Sequence, residues 1–173
     1  MLIGLCGFKR SGKDTVALGL ARQYGFERFA FADAIREEVA ALDGISRPDE
    51  TQKDVRSTNG QSYRDALIAR GQARRSEDPD YWVKALASSI AQPPVPANIV
   101  ITDCRIPNEV DWIRSRGGVL VWVWRDGIVS NGHVTERDWR PVCDIVLHND
   151  WRTPDELAAE LMLAARARAR VAA

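Results

Sequence analysis

The stretch GFKRSGKDT, Gly7 to Thr15, constrains this chain more than any other part of it. It follows the short apolar run LIGLC and precedes Val16, Leu20 and Tyr24 at helical spacing, which Gly25 stops. Strand, glycine loop and helix in that order aim successive backbone N–H groups at one anion. The helix adds the positive end of its dipole. G-x-x-x-x-G-K is the spacing of a phosphate-binding loop, so Gly7, Phe8, Lys9, Arg10, Ser11, Gly12, Lys13, Asp14 and Thr15 are expected around a nucleotide polyphosphate. Lys13 would reach the outer phosphates.

The residue after that lysine is normally Ser or Thr, and here it is Asp14. A triphosphate arrives with Mg2+, and hard cations accept carboxylate or water-bridged oxygen, so an aspartate can replace the hydroxyl. The other reading is that Asp14 caps the helix, where its charge is also favourable. Thr15 still offers a hydroxyl. The second metal candidate is Asp103, at the end of the apolar run NIVITD, where the alternative is a structural cap.

Elements alternate along the rest of the chain. FERFAFA reads as a second strand, followed by a helix marked by Ile35, Val39 and Leu42 that ends near Asp43-Gly44. Residues 47–59 are polar and read as loop or short helix. SYRDALIARGQARR and DPDYWVKALASSIA read as helices, the second with Pro79 in its first turn and Trp82, Leu86 and Ile90 on one stripe. QPPVPA breaks the chain. NIVITD then fits a strand covered on both faces, a helix runs from about Pro107 to Gly117-Gly118, and VLVWVW and DIVLH supply two more strands. Thr153, Pro154 and Glu156 mark the start of a final helix. Strands alternating with helices imply one α/β domain with a largely parallel sheet, and 173 residues suffice for one core.

Equal numbers of acidic and basic residues, 24 each, argue against nucleic acid or a membrane surface as the main partner. Cys6, Cys104 and Cys143 lack C-x-x-C spacing, which suggests neither a disulfide framework nor zinc and fits a reducing cytoplasm. No apolar run approaches a membrane span, and LIGLC is too short for a signal peptide.

In an open α/β sheet, ligands sit beyond the carboxyl ends of the strands, and Asp33, Arg36 and Arg105 all follow such ends. Arg36 can clamp a phosphate. Asp33 can accept from a hydroxyl or base amine, or cap a helix. Arg64, Ile68, Gly71 and Arg75 share a stripe if their helix is continuous; Gly71 could instead end it. Those arginines suit an anion, with snorkelling to solvent as the alternative and as the expectation for Arg70. Arg125, Arg137 and Arg140 flank a polar segment, 125–140, suited to a lid over transferring phosphate. His133 reads as a loop residue.

These stretches resemble a known family, the deoxynucleoside monophosphate kinases of tailed bacteriophages and some bacteria. The similarity rests on GFKRSGKDT, FADAIRE, YRDALIARGQARRSEDPDYWVKAL, TDCRIPNEVDWIRSRGG, GHVTE and HND, which span nearly the whole chain. It implies a P-loop kinase fold, three-layer α/β/α around a five-stranded parallel core, that transfers the γ-phosphate of ATP to a dNMP with Mg2+. It implies catalytic roles for Lys13, Arg105, Arg125 and Arg137. It also places Lys9, Arg10, Asp33, Arg36, Arg64, Arg75, Trp82, Arg105 and Glu109 around the acceptor or closing lid, with an acceptor-binding helical region at about 33–92. FADAIRE carries Arg36 where the family pattern suggests lysine, which alters reach and hydrogen-bond geometry. A cytoplasmic location follows, the host's if the chain is phage-encoded. Base preference and oligomeric state stay open, a homodimer included. Phosphomevalonate kinases and dephospho-CoA kinases share parts of this pattern, and an ATP-driven switch or a nucleic-acid-binding ATPase is the non-kinase alternative.

Overall fold

The computed structural model describes residues 1–43, 62–130, 132 and 137–171; the polar stretch 47–59 and His133 lie outside the described residues. The elements are β1 (Leu2–Cys6), α1 (Lys13–Tyr24), β2 (Glu27–Phe29), α2 (Phe31–Asp43), α3 (Tyr63–Glu77), α4 (Tyr81–Ile90), β3 (Ile99–Ile101), α5 (Pro107–Ser115), β4 (Val119–Trp124), β5 (Ile145–His148) and α6 (Pro154–Val171). A 3-10 turn covers Arg140–Val142. They fall into two units, Met1–Ala30 with Pro93–Ala173, and Phe31–Gln92.

The first unit is built on a five-stranded sheet in the order β2-β3-β1-β4-β5, every pairing parallel. β1 lies centrally, with Leu2 opposite Ile99 on one side and Ile3 opposite Val119 on the other. Alternation along β1 divides the two faces. Ile3 and Leu5 join Val16, Leu20, Leu157, Ala158 and Leu161 from α1 and α6 in one core, while Gly4 faces Ile113 of α5. With α1 and α6 on one face and α5 on the other, the result is a three-layer α/β/α arrangement. Burial on both faces explains why VLVWVW reads as an unbroken apolar run: Leu120, Val121, Trp122 and Val123 are all buried.

The caps follow the sequence signals. Gly25 stops α1 with φ 64, its N–H donating to the Leu20 carbonyl. At α6 the Glu156 carboxylate accepts from the Thr153 N–H (2.9 Å) and the Glu156 N–H donates back to Thr153 Oγ1 (3.3 Å).

The second unit is α2, α3 and α4. Glu38 on α2 is its polar centre: the carboxylate accepts from Arg70 Nε (2.6 Å) and Arg74 Nε (3.3 Å) on α3 and from the Tyr81 hydroxyl (2.5 Å) on α4. Burial pushes the Glu38 pKa up, but the Tyr81, Arg70 and Arg74 donors outweigh it and hold the group below its ordinary value. Arg70 is therefore tied to Glu38 and does not snorkel to solvent, because a half-buried carboxylate lies within its reach.

Three further expectations are corrected here. β2 ends at Phe29 and α2 begins at Phe31, which is 2% exposed; FERFAFA splits because its second half supplies the buried start of a helix. Leu42 near the end of α2 is exposed although Ile35 and Val39 are buried. Pro79 precedes α4: Asp78 is extended, as a residue before proline prefers, and its Oδ1 accepts from the Asp80 N–H (3.0 Å), making a turn ahead of the helix. Gly71 lies inside a continuous α3, where its carbonyl accepts from Trp82 Nε1 (3.1 Å).

Candidate active site

The carboxyl ends of β1, β3, β4 and β5 deliver the loops that matter in the first unit. After β1, the chain turns through positive φ at Gly7 (146°), Arg10 (67°) and Gly12 (98°). Side chains at the two glycines would collide: a Cβ on Gly7 would lie 2.3 Å from the Val123 carbonyl oxygen, and one on Gly12 would lie 1.9 Å from Asn149 Nδ2. Gly12 is the N-cap of α1, so the free amides of the first turn open onto the loop.

A cavity of about 280 Å³ sits there, lined by Arg10, Gly12, Lys13, Asp14, Thr15 and Arg125. Lys13 Nζ donates to the carbonyls of Gly7 (2.9 Å) and Phe8 (2.8 Å) and is only 8% exposed. Burial first, and then the Arg105 charge, pull its pKa from 10.5 down to about 8; Asp14 and Asp103 act in the opposite direction. Lys13, Arg105, Asp14 and Asp103 are thus electrostatic neighbours, two cations and two carboxylates around one loop.

Asp14 is exposed in the first turn of α1, while the N-cap position belongs to Gly12. The donor set suits Mg2+, which is held by one or two carboxylates with water and substrate phosphates making up the rest. Among the described residues no group of three or more His, Cys, Asp or Glu side chains forms an all-protein cage.

The remaining expected residues divide by unit. Glu109 is buried and its Oε2 accepts from the backbone N–H of Arg105 (2.7 Å) and Ile106 (3.2 Å), fixing the turn before α5. Arg137 is exposed, its guanidinium 4.8 Å from the centroid of the Trp139 ring. Lys9 and Arg10 are exposed on the loop. In the second unit, Asp33 pairs with Arg36 (2.7 Å), inside the first turn of α2 and past the cap position. Arg64 and Arg75 are half-buried on α3. Trp82 is 1% exposed with its N–H satisfied by Gly71, which makes it part of that unit's core.

Three residues with evident roles escape the sequence reading. Asn149, 1% exposed, donates from Nδ2 to the Ser11 carbonyl (3.0 Å), and its N–H bonds to the Trp124 carbonyl (2.8 Å), tying the phosphate loop to the end of β5. Trp151 is 80% exposed, has a positive φ of 71°, and carries the Arg125 guanidinium 4.3 Å from its ring centroid. Trp139 binds the Arg105 carbonyl through Nε1 (3.1 Å). Asn149 stands in the quoted HND; nothing local distinguishes the other two.

Comparison with known proteins agrees with this geometry. Residues 75–159 match the family model of deoxynucleotide monophosphate kinase, a stretch that starts beyond the phosphate loop and takes in Trp82, Arg105, Glu109 and the 125–140 segment. A candidate deoxynucleotide monophosphate kinase of Acanthamoeba polyphaga mimivirus is 29% identical over 187 residues, covering 94% of each chain. Among solved structures, shikimate kinase from Aquifex aeolicus is 21% identical with a TM-score of 0.54 and 98% coverage of both chains. A gluconokinase from Sinorhizobium meliloti is 18% identical with a TM-score of 0.51, covering 98% of this chain and 94% of its own. Likeness at that level of identity bears on the fold alone. With loop, sheet and both sequence matches in agreement, the chain has a P-loop kinase fold and is similar in sequence to the deoxynucleotide monophosphate kinases.

Proposed function

We propose that the protein transfers the γ-phosphoryl group of ATP to a deoxynucleoside monophosphate, giving a dNDP and ADP. The observation that carries this reading is the pairing of a formed phosphate loop, with Lys13 folded onto its own carbonyls, and a family match that begins beyond it. Residues Gly7–Thr15 hold the donor's phosphates through backbone amides. Lys13 exchanges the Gly7 and Phe8 carbonyls for outer phosphate oxygens, a swap of neutral acceptors for anionic ones that strengthens its hydrogen bonds and favours its charged form. Exposed Trp151, with Arg125 beside it, offers a flat surface where the donor base can stack.

Phosphoryl transfer demands mainly positioning and neutralisation of charge on the transferring group. Arg105, Arg125 and Arg137 supply that charge, and the 125–140 segment closes as a lid that excludes water. When bound, Mg2+ would neutralise the β- and γ-phosphates, held by Asp14 and Asp103 directly or through water. Acceptor recognition falls to the 33–92 region through Asp33, Arg36, Arg64, Arg75 and Trp82, joined by Lys9, Arg10, Arg105 and Glu109. Of these, Trp82 and Glu109 act by shaping the site, since both are buried. The setting is cytoplasmic.

The test is a coupled ADP-release assay with Mg·ATP and, in turn, each dNMP, each NMP, phosphomevalonate and dephospho-CoA. Turnover is expected with at least one dNMP. Background rates with every dNMP, alongside activity on another acceptor, would refute the assignment.

A further inference from the structure

Trp139 is 7% exposed, although Arg137, Asp138 and Arg140 around it are exposed. Its own backbone is anchored, because its carbonyl accepts from Val142 (3.0 Å) and Cys143 (3.1 Å) and so closes the 3-10 turn. The indole edge then donates to the Arg105 carbonyl at 3.1 Å, while the ring carries the Arg137 guanidinium at 4.8 Å. Arg105 lies in a stretch without regular structure between β3 and α5. Both of its backbone polar groups are taken: the N–H by Glu109 Oε2 at 2.7 Å and the carbonyl by Trp139. One indole thus joins two arginines from segments more than thirty residues apart in the chain, 105 and 137–139.

We propose that Trp139 is a positioning residue, setting Arg105 and Arg137 together for phosphoryl transfer through its N–H and its ring face. This rests on the kinase reading above and adds a specific dependence to it. The indole touches neither phosphate nor acceptor. Its N–H fixes where the Arg105 backbone stands, and its ring gives the exposed Arg137 a preferred place by cation–π attraction. Misplacing a charged group by about 1 Å at such a site can cost about a hundredfold in rate.

Trp139→Phe keeps the ring under Arg137 and removes the N–H donor. The expected result is a kcat lowered about ten- to a hundredfold with KM for ATP changed less than about twofold. In an Arg105→Ala background the same substitution should cost nothing further, because its effect runs through Arg105. A second readout needs neither ATP nor acceptor. The Arg105 and Ile106 amides donate to Glu109 while the Arg105 carbonyl accepts from Trp139, so loss of the indole donor leaves that turn held from one side only. In the donor-free protein, NMR should therefore show the Arg105 and Ile106 backbone amide resonances shifted and exchanging with solvent faster in Trp139→Phe, with those of α6 unchanged. If circular dichroism shows that this variant does not fold, Trp139→Met refills the space without a donor and is judged by the same outcomes. An unchanged kcat with unchanged Arg105 and Ile106 amide resonances, or losses that simply add to those of Arg105→Ala, would overturn the proposal. Because the amide readout is independent of substrate, it judges the clamp even where the acceptor panel fails.

Discussion

At the loop edge of the first unit, Lys13 leans on the carbonyls of Gly7 and Phe8, Arg125 Nε and Asn149 Oδ1 have no hydrogen-bond partner among the described residues, and Trp151 stands in solvent. In the second unit, Glu38 gathers Arg70, Arg74 and Tyr81 into a closed node that joins three helices. Both regions concentrate charge, and the difference lies in what is left over. Around Glu38 opposite charges meet and offset one another, which is the signature of a structural tie. The cavity at Lys13 is instead lined by three cations, Arg10, Lys13 and Arg125, against the one carboxylate of Asp14, an excess that a polyanion would complete.

The comparison can be broken most forcefully at Lys13. Lys13→Ala should lower turnover about a thousandfold or more, since it removes charge from the transferring phosphates, while stability changes by no more than about 1 kcal/mol. Circular dichroism and melting beside a turnover assay check both halves. Substantial activity in this variant would put the loop on the same footing as any other turn.

Glu38→Ala should do the reverse. It leaves two guanidinium groups and a tyrosine hydroxyl facing each other without their acceptor, at a cost of about 1–3 kcal/mol, discounted because the pair is a quarter exposed. The melting temperature should fall while the Kd for an ATP analogue, measured by calorimetry, stays within about twofold. A Glu38→Ala protein that melts normally but no longer binds donor would erase the distinction between the two regions.

Much of the fold could be read along the chain because its signals are local. Burial on both faces writes β1 and β4 as apolar runs, Gly25 and the Thr153–Glu156 pair mark helix ends, and loop spacing alone places Lys13 at the cavity. What stayed hidden depends on partners far away in the chain. Arg70 looks solvated until α2 brings Glu38 to it, Asn149 reaches Ser11 across 138 residues, and Trp139 reaches Arg105 across 34. Pro79 misleads because its effect on Asp78, one residue earlier, outweighs its own suitability for a first turn. Trp82 shows the opposite limit: a large aromatic quoted within a family pattern turns out to be the packed centre of its unit.

The most direct trial of the account is a crystal structure of the protein with Mg2+ and a non-hydrolysable ATP analogue. The triphosphate should lie along Gly7–Thr15, with Lys13 Nζ moved from the Gly7 and Phe8 carbonyls onto the outer phosphate. A triphosphate bound elsewhere, with Lys13 still on those two carbonyls, would contradict it.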